Sequence, residues 1–186
     1  MSDGPHKSLP MRRGWKKVAE YAGNVTFASN EVCDAIVTAI EQDWRKDISL
    51  GLVGSIQDVL GGATLFSEDR IQALEDLRQS VAGGAMGHVL LDHVLYAVSD
   101  GKSGDTAFQE AVTRTAIDWS ARRARQVEEH YLRKSSTENA TIVRSRIEEA
   151  VQKASFTALA SRLLDAASRP VPRLVKHDGL DDGVPL

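Results

Sequence analysis

The chain has 186 residues, 42% of them hydrophobic, and a formal net charge of −3, which suits one domain with a core of its own and is short for two. Aromatic residues make up only 5%, so much of the core must come from Ala, Val, Leu and Ile, which favours packed helices over a β-sandwich. The single cysteine, Cys33, excludes an intramolecular disulfide and a cysteine-rich zinc site. With no signal-type apolar start and no run of roughly 20 apolar residues, the expectation is a cytoplasmic protein with no membrane partner.

The expected organisation is all-α: a single-domain bundle of five to seven helices over residues 10–168, with a flexible N-terminus (1–9) and an extended or disordered tail (169–186). The first helix runs from Pro10, a good first-turn residue, to about Ala22. Met11, Trp15, Val18 and Ala22 make its apolar stripe, while Arg12, Arg13, Lys16 and Lys17 crowd the remaining surface. Such a helix suits phosphates, an anionic surface or an acidic groove on a partner. It could equally dock Trp15 into its own core and hold its lysines in water. The second helix, capped by Ser29 or Asn30, runs to Asp47 with Val32, Cys33, Ile36, Val37, Ile40 and Trp44 inward. Leu50–Leu60 reads as a helix despite Gly51 and Gly54, with a buried strand as the alternative.

Ser67 opens a helix to about Val81 through Ile71, Leu74 and Leu77, and Gly83-Gly84 makes a hinge. Met86–Ser99 is apolar almost all round, which singles out its polar residues His88, Asp92 and His93. His88 and Asp92 share a helix face. Two ligands do not make a metal site, so a buried His–Asp hydrogen bond is expected and no metal is assigned.

The stretch Thr106–Lys134 has no Gly or Pro and reads as the central helix, with Phe108, Val112, Ala116, Trp119, Ala124, Val127 and Tyr131 inward. A second stripe of Trp119, Arg123, Gln126 and His130 enters that arc. An unpaired Arg123 there would be costly, so it needs an acidic partner inside or an interface. The last helix, from Ser136 or Thr137 to Ser168, completes a long antiparallel C-terminal hairpin. Its apolar face shifts between Ala140–Val151 and Phe156–Leu163, so it either kinks near Ser155 or packs on two different neighbours, the second of which another subunit could supply. Pro170, Pro172 and Pro185, with Gly179 and Gly183, exclude a helix from the tail.

Charge is segregated along the chain. Residues 1–19 carry five Lys/Arg against one acid, 20–100 four against thirteen, and 114–176 thirteen against seven. Either a basic surface stands on an acidic protein, or the halves pack together and neutralise. Gly101-Lys102-Ser103 is not a phosphate loop, because Tyr96 stands where that loop needs a glycine and no strand feeds it. Gly83–Gly87 is read as a hinge rather than an anion site.

Together these features indicate a non-enzymatic α-helical interaction or assembly subunit without a cofactor. It presents Arg12, Arg13, Trp15, Lys16, Lys17, Arg123 and His130 to a protein partner or to another copy of itself, with nucleic acid a further partner that these cations suit. The alternative is a metal-independent ribonuclease. Arg125 and His130 resemble the R-x4-H pair on the catalytic helix of HEPN-type ribonucleases, which are small helical bundles acting as dimers. The resemblance covers these two residues only. It would imply that His130 handles the ribose 2′-hydroxyl proton and Arg125 steadies the phosphate.

Overall fold

A computed structural model of the chain describes residues 11–62, 67–80, 85–134 and 136–168. These form eight helices: α1 Arg13–Gly23, α2 Ser29–Asp47, α3 Leu50–Gly61, α4 Ser67–Ser80, α5 Ala85–Ser99, α6 Gly104–Lys134, α7 Thr137–Lys153 and α8 Phe156–Ser168. There is no strand among the described residues. Leu50–Leu60 is therefore helical, with the Ser49 hydroxyl accepting from Leu52 N–H at 3.1 Å to cap it. The flexible N-terminus at 1–9, Pro10 itself, the Gly83-Gly84 hinge and the tail at 169–186 lie outside the described residues. Met11 is not helical and the extended Arg12 (φ −66°, ψ 150°) is the N-cap, so α1 starts later than the expected Pro10. No helix among the described residues is long and apolar enough to cross a membrane.

The helix count exceeds the expected five to seven because the last long helix is two. The backbone turns extended at Ala154 (φ −67°, ψ 129°) and α8 starts afresh at Phe156. This break answers the shift in apolar face. Ala140, Val143, Ile147 and Ala150 of α7 are buried on one course, and Leu159, Ala160 and Leu163 of α8 on the other. Both neighbours are in the same chain: α7 packs on α1, α2 and α6, and α8 on α2, α3 and α6. No second subunit is needed to cover α8.

α6 is the central element, packing against α1, α2, α3, α5, α7 and α8, and one buried apolar cluster draws residues from all eight helices. Gly101 (φ +78°) ends α5, with Gly101 N–H on Val98 C=O at 3.0 Å and Lys102 N–H on Ala97 C=O at 3.1 Å. That is a Schellman stop. The Gly101-Lys102 pair thus has a structural use in closing a helix.

At the start of α2, Ala28 rather than Ser29 or Asn30 is the N-cap residue, and Glu31 reaches back to accept from Ala28 N–H at 2.7 Å. The Ser29 hydroxyl instead accepts from Lys153 Nζ at 2.9 Å.

An isolated helix as short as the 11-residue α1 is marginal in water, so its form depends on docking. Trp15, Val18, Ala19 and Ala22 are buried, and burying one large apolar side chain stabilises by about 1.5–3 kcal/mol. Gly14 lets the backbones of α1 and α2 approach closely: a Cβ there would stand 3.1 Å from Ala39 Cα and 3.2 Å from Ala39 Cβ. Gly14→Val is expected to push α1 off α2 and lower the unfolding free energy by about 1–3 kcal/mol. Gly54→Ala, whose Cβ meets nothing within 4 Å, is expected to raise it by up to about 1 kcal/mol. Urea denaturation of the two variants checks both signs.

Candidate functional site

The side chains that carry the helix packing converge on Asp43. On α2 the inward positions Val32, Ala35, Ile36, Ala39, Ile40, Asp43 and Trp44 form one stripe, and Asp43 is its only acid. Its side chain is 3% exposed. Taking a carboxylate out of water costs several kcal/mol unless donors replace the water.

Four donors do so. Oδ2 accepts from Trp15 Nε1 at 2.8 Å, Trp119 Nε1 at 2.7 Å and Arg123 Nε at 3.2 Å, and Oδ1 accepts from Arg12 Nη1 at 2.9 Å. Arg12 Nη2 also donates to Asp47 Oδ1 at 2.7 Å. Arg123 lies over the Trp119 ring at 5.0 Å and donates through Nη1 to Gln126 Oε1 at 2.5 Å. Two arginines face two aspartates, so the cluster is electrically balanced. Burial works against the Arg12 guanidinium charge, but its hydrogen bonds to Asp47 and Asp43 outweigh this and raise its pKa. Both oxygens of Asp43 are engaged, and in the cluster only Asp47 Oδ2 is buried without a partner among the described residues, which makes this cluster a fastener between α1, α2 and α6.

The residues singled out in the sequence therefore separate into groups. Arg12, Trp15 and Arg123 are built into the fastener, where they offer no exposed surface comparable to that of the lysines. The acidic partner that Arg123 required is Asp43. Arg13, Lys16 and Lys17 are exposed along a groove of about 960 Å³ between α1 and α2, which is also lined by the Tyr21 and Phe27 rings, tilted against each other with 4.2 Å between centroids. Lys16 also lines a cavity of about 480 Å³ that His130 reaches from α6. The structure thus brings Lys16 and His130 together across more than a hundred residues of sequence. Arg125 is exposed. Five positions apart on α6, Arg125 and His130 project about 140° apart around the axis, and no hydrogen bond links them among the described residues.

The expected His88–Asp92 hydrogen bond does not form. Asp92 is exposed and accepts from Arg78 Nε at 2.5 Å. His93 Nε2 instead lies 3.3 Å from Asp118 Oδ2 on α6. A face of α5 that looks apolar in sequence still has an outer side, and α4 brings Arg78 to it. Among the described residues, no three His, Cys, Asp or Glu side chains converge so as to hold a metal ion.

The chain was compared with protein-family models, characterised proteins and solved structures, and it matches none. The site is therefore read from its own chemistry.

Asp43 and Asp47 were not identified from the sequence as the centre of the site. The signal was present: an acid at Asp43 continues the inward stripe Ile36–Ile40 at helical spacing, two of whose neighbours are Ala39 and Trp44. Replacing Asp43 with Asn keeps the shape but turns one acceptor into a donor facing donors. It is expected to cost about 3–5 kcal/mol, and Trp119→Phe, which removes one bond, about 1–2 kcal/mol. Urea unfolding followed by tryptophan fluorescence reads both, and a loss under 0.5 kcal/mol for Asp43→Asn would remove the fastener role.

Burial disfavours the Asp118 carboxylate, but Arg122 at 3.1 Å and His93 at 3.3 Å outweigh this and lower its pKa. A carboxyl pKa depressed in the folded state adds stability above the unfolded value of 3.8, and that stability is lost as pH falls through the folded value. The Tm difference between wild type and Asp118→Asn should therefore be largest near neutrality and shrink below about pH 4. Thermal melts across that range measure it.

Proposed function

We propose that the chain is a non-enzymatic α-helical interaction subunit whose docking surface is the groove between the outer side of α1 and α2. The observation that carries this reading is the way α1 is held. Trp15 and Arg12 fasten it to Asp43, so Arg13, Lys16 and Lys17 are displayed from a helix that cannot roll. None of the three has an ion pair among the described residues. A rigid display lowers the ordering cost of binding.

The partner class follows from the lining. Beside the three cations the lining carries Glu20, Glu31 and Asp34 and the Tyr21 and Phe27 rings. A polyphosphate, negative at every unit, meets three acids there. A polypeptide segment bearing both charge signs and an apolar anchor meets complementary groups throughout. The reading takes residues 10–168 as one helical bundle in which α6 pairs with α7 as an antiparallel hairpin, and it sets the subunit in the cytoplasm.

A photo-reactive residue at Thr38, which lines the groove, captures the partner. The purified partner should then bind wild-type protein and lose about tenfold in affinity, or 1.4 kcal/mol, on Lys17→Glu with the helical circular-dichroism signal unchanged. Fluorescence anisotropy with labelled RNA and DNA at low and moderate salt runs alongside. Nucleic-acid binding that weakens steeply with salt and disappears in Lys17→Glu would assign the groove to phosphates instead. If neither class of partner bound, the reading would be wrong.

A further inference from the structure

The cavity of about 480 Å³ between α1 and the last turns of α6 has a composition of its own. Its basic wall comes from two elements: Lys16 from α1, with His130 and Lys134 from α6. His130 and Lys134 are one turn apart and share a helix face. None of the three has an ion pair among the described residues, whereas Arg122 and Arg123 on α6 are paired. The helix dipole accounts for Lys134, in the last turn of α6. It accounts for neither Lys16 nor His130.

The rest of the cavity is apolar and fixed. Met11 and Ala19 are buried beneath it. The Tyr131 hydroxyl donates to Ala19 C=O at 2.9 Å, which pins the ring against α1. Burial, with the Glu20 charge as a lesser cause, raises the Tyr131 pKa and keeps this hydroxyl a donor. Glu20 is the one acid in the lining. Sites for small ligands are usually concave spaces of about 300–1,000 Å³, mostly apolar, with a few convergent polar groups. This cavity matches that description and, unlike the neighbouring groove, has more cationic groups than acids.

We infer that the cavity binds a phosphomonoester with an aromatic or apolar body. Lys16, His130 and Lys134 hold the phosphate, and the body lies on Met11, Ala19 and the Tyr131 ring. A phosphomonoester carries a charge of about −1.5 to −2 at neutral pH, which two lysines can balance while the histidine supplies a hydrogen bond. The site goes beyond the docking groove. It shares Lys16 and Glu20 with that groove, but His130 and Lys134 belong to the cavity alone. Two sources offer the same chemistry: a free nucleotide and the 5′-phosphorylated end of a nucleic-acid strand.

The test is isothermal titration calorimetry on the full chain with adenosine monophosphate, adenosine and inorganic phosphate. Adenosine monophosphate should bind saturably, with adenosine and phosphate each weaker by about tenfold or more. Lys134→Ala and His130→Ala should each weaken it by about tenfold, and Glu20→Gln should tighten it. Lys46→Ala, on α2 outside the cavity, should change nothing. Circular dichroism checks that each variant stays helical. No saturable binding of adenosine monophosphate, or binding that Lys134→Ala and His130→Ala leave unchanged, overturns the proposal. An oligonucleotide pair that differs only in its 5′-phosphate identifies the source. Tighter binding of the phosphorylated strand than of the nucleotide assigns the site to strand ends, and equal or weaker binding assigns it to the free ester.

Discussion

The arrangement of α1, α2 and α6 depends on keeping one carboxylate, that of Asp43, out of water with its charge answered. Its two oxygens receive four donors from two separate stretches of chain, Arg12 and Trp15 at α1 and Trp119 and Arg123 on α6. Each tryptophan has a single donor, and both spend it on Oδ2, so the Trp15 and Trp119 rings are fixed in direction as well as in depth. Sliding or rolling any of the three helices would strand a buried charge or a buried indole N–H, and each such group costs free energy to leave unpaired. Apolar packing alone has no such directional penalty, so the cluster sets the register of the helices while the surrounding Ile, Leu and Val supply the burial.

This constraint also decides what the surface can offer. Arg12 and Arg123 turn inward because Asp43 and Asp47 are inside, which removes two of the cations that a count along the sequence credits to a basic face. Arg162 on α8 likewise reaches Glu41 on α2 at 2.8 Å. Among the described residues, Arg123 and Arg162 thus tie the basic second half to the acidic first half, while Arg114, Arg122, Arg144 and Lys153 pair with acids nearby in sequence. Among the described basic residues without an ion pair, Arg13, Lys16 and Lys17 stand together along α1 and Lys16 meets His130 and Lys134 at the end of α6, whereas Arg45, Lys46 and Arg125 line neither the groove nor the cavity. Paired cations have less to give an incoming phosphate, so these few residues matter more than the overall charge.

The sequence by itself determined the elements. Periodicity and caps placed α2, α3, α4, α5, the long α6 and the start of α7, because spacing of apolar residues and the choice of Ser, Gly or Pro act within a few residues along the chain. It also showed that Arg123 needed an acidic partner inside or an interface, since an unpaired buried guanidinium is costly. The break at Ala154 was visible as a shift in apolar face, though not as two helices. Which acid answers Arg123 was decided only by the tertiary structure, because Asp43 lies 80 positions away, and its place on the inward stripe of α2 marks it as buried without saying which helix it meets. The same holds for His93 pairing with Asp118 instead of His88 with Asp92, and for Lys16 meeting His130 in one cavity. Those pairings depend on which helix faces which. That in turn is set by the packing of the whole chain around α6, a property no local stretch of sequence carries.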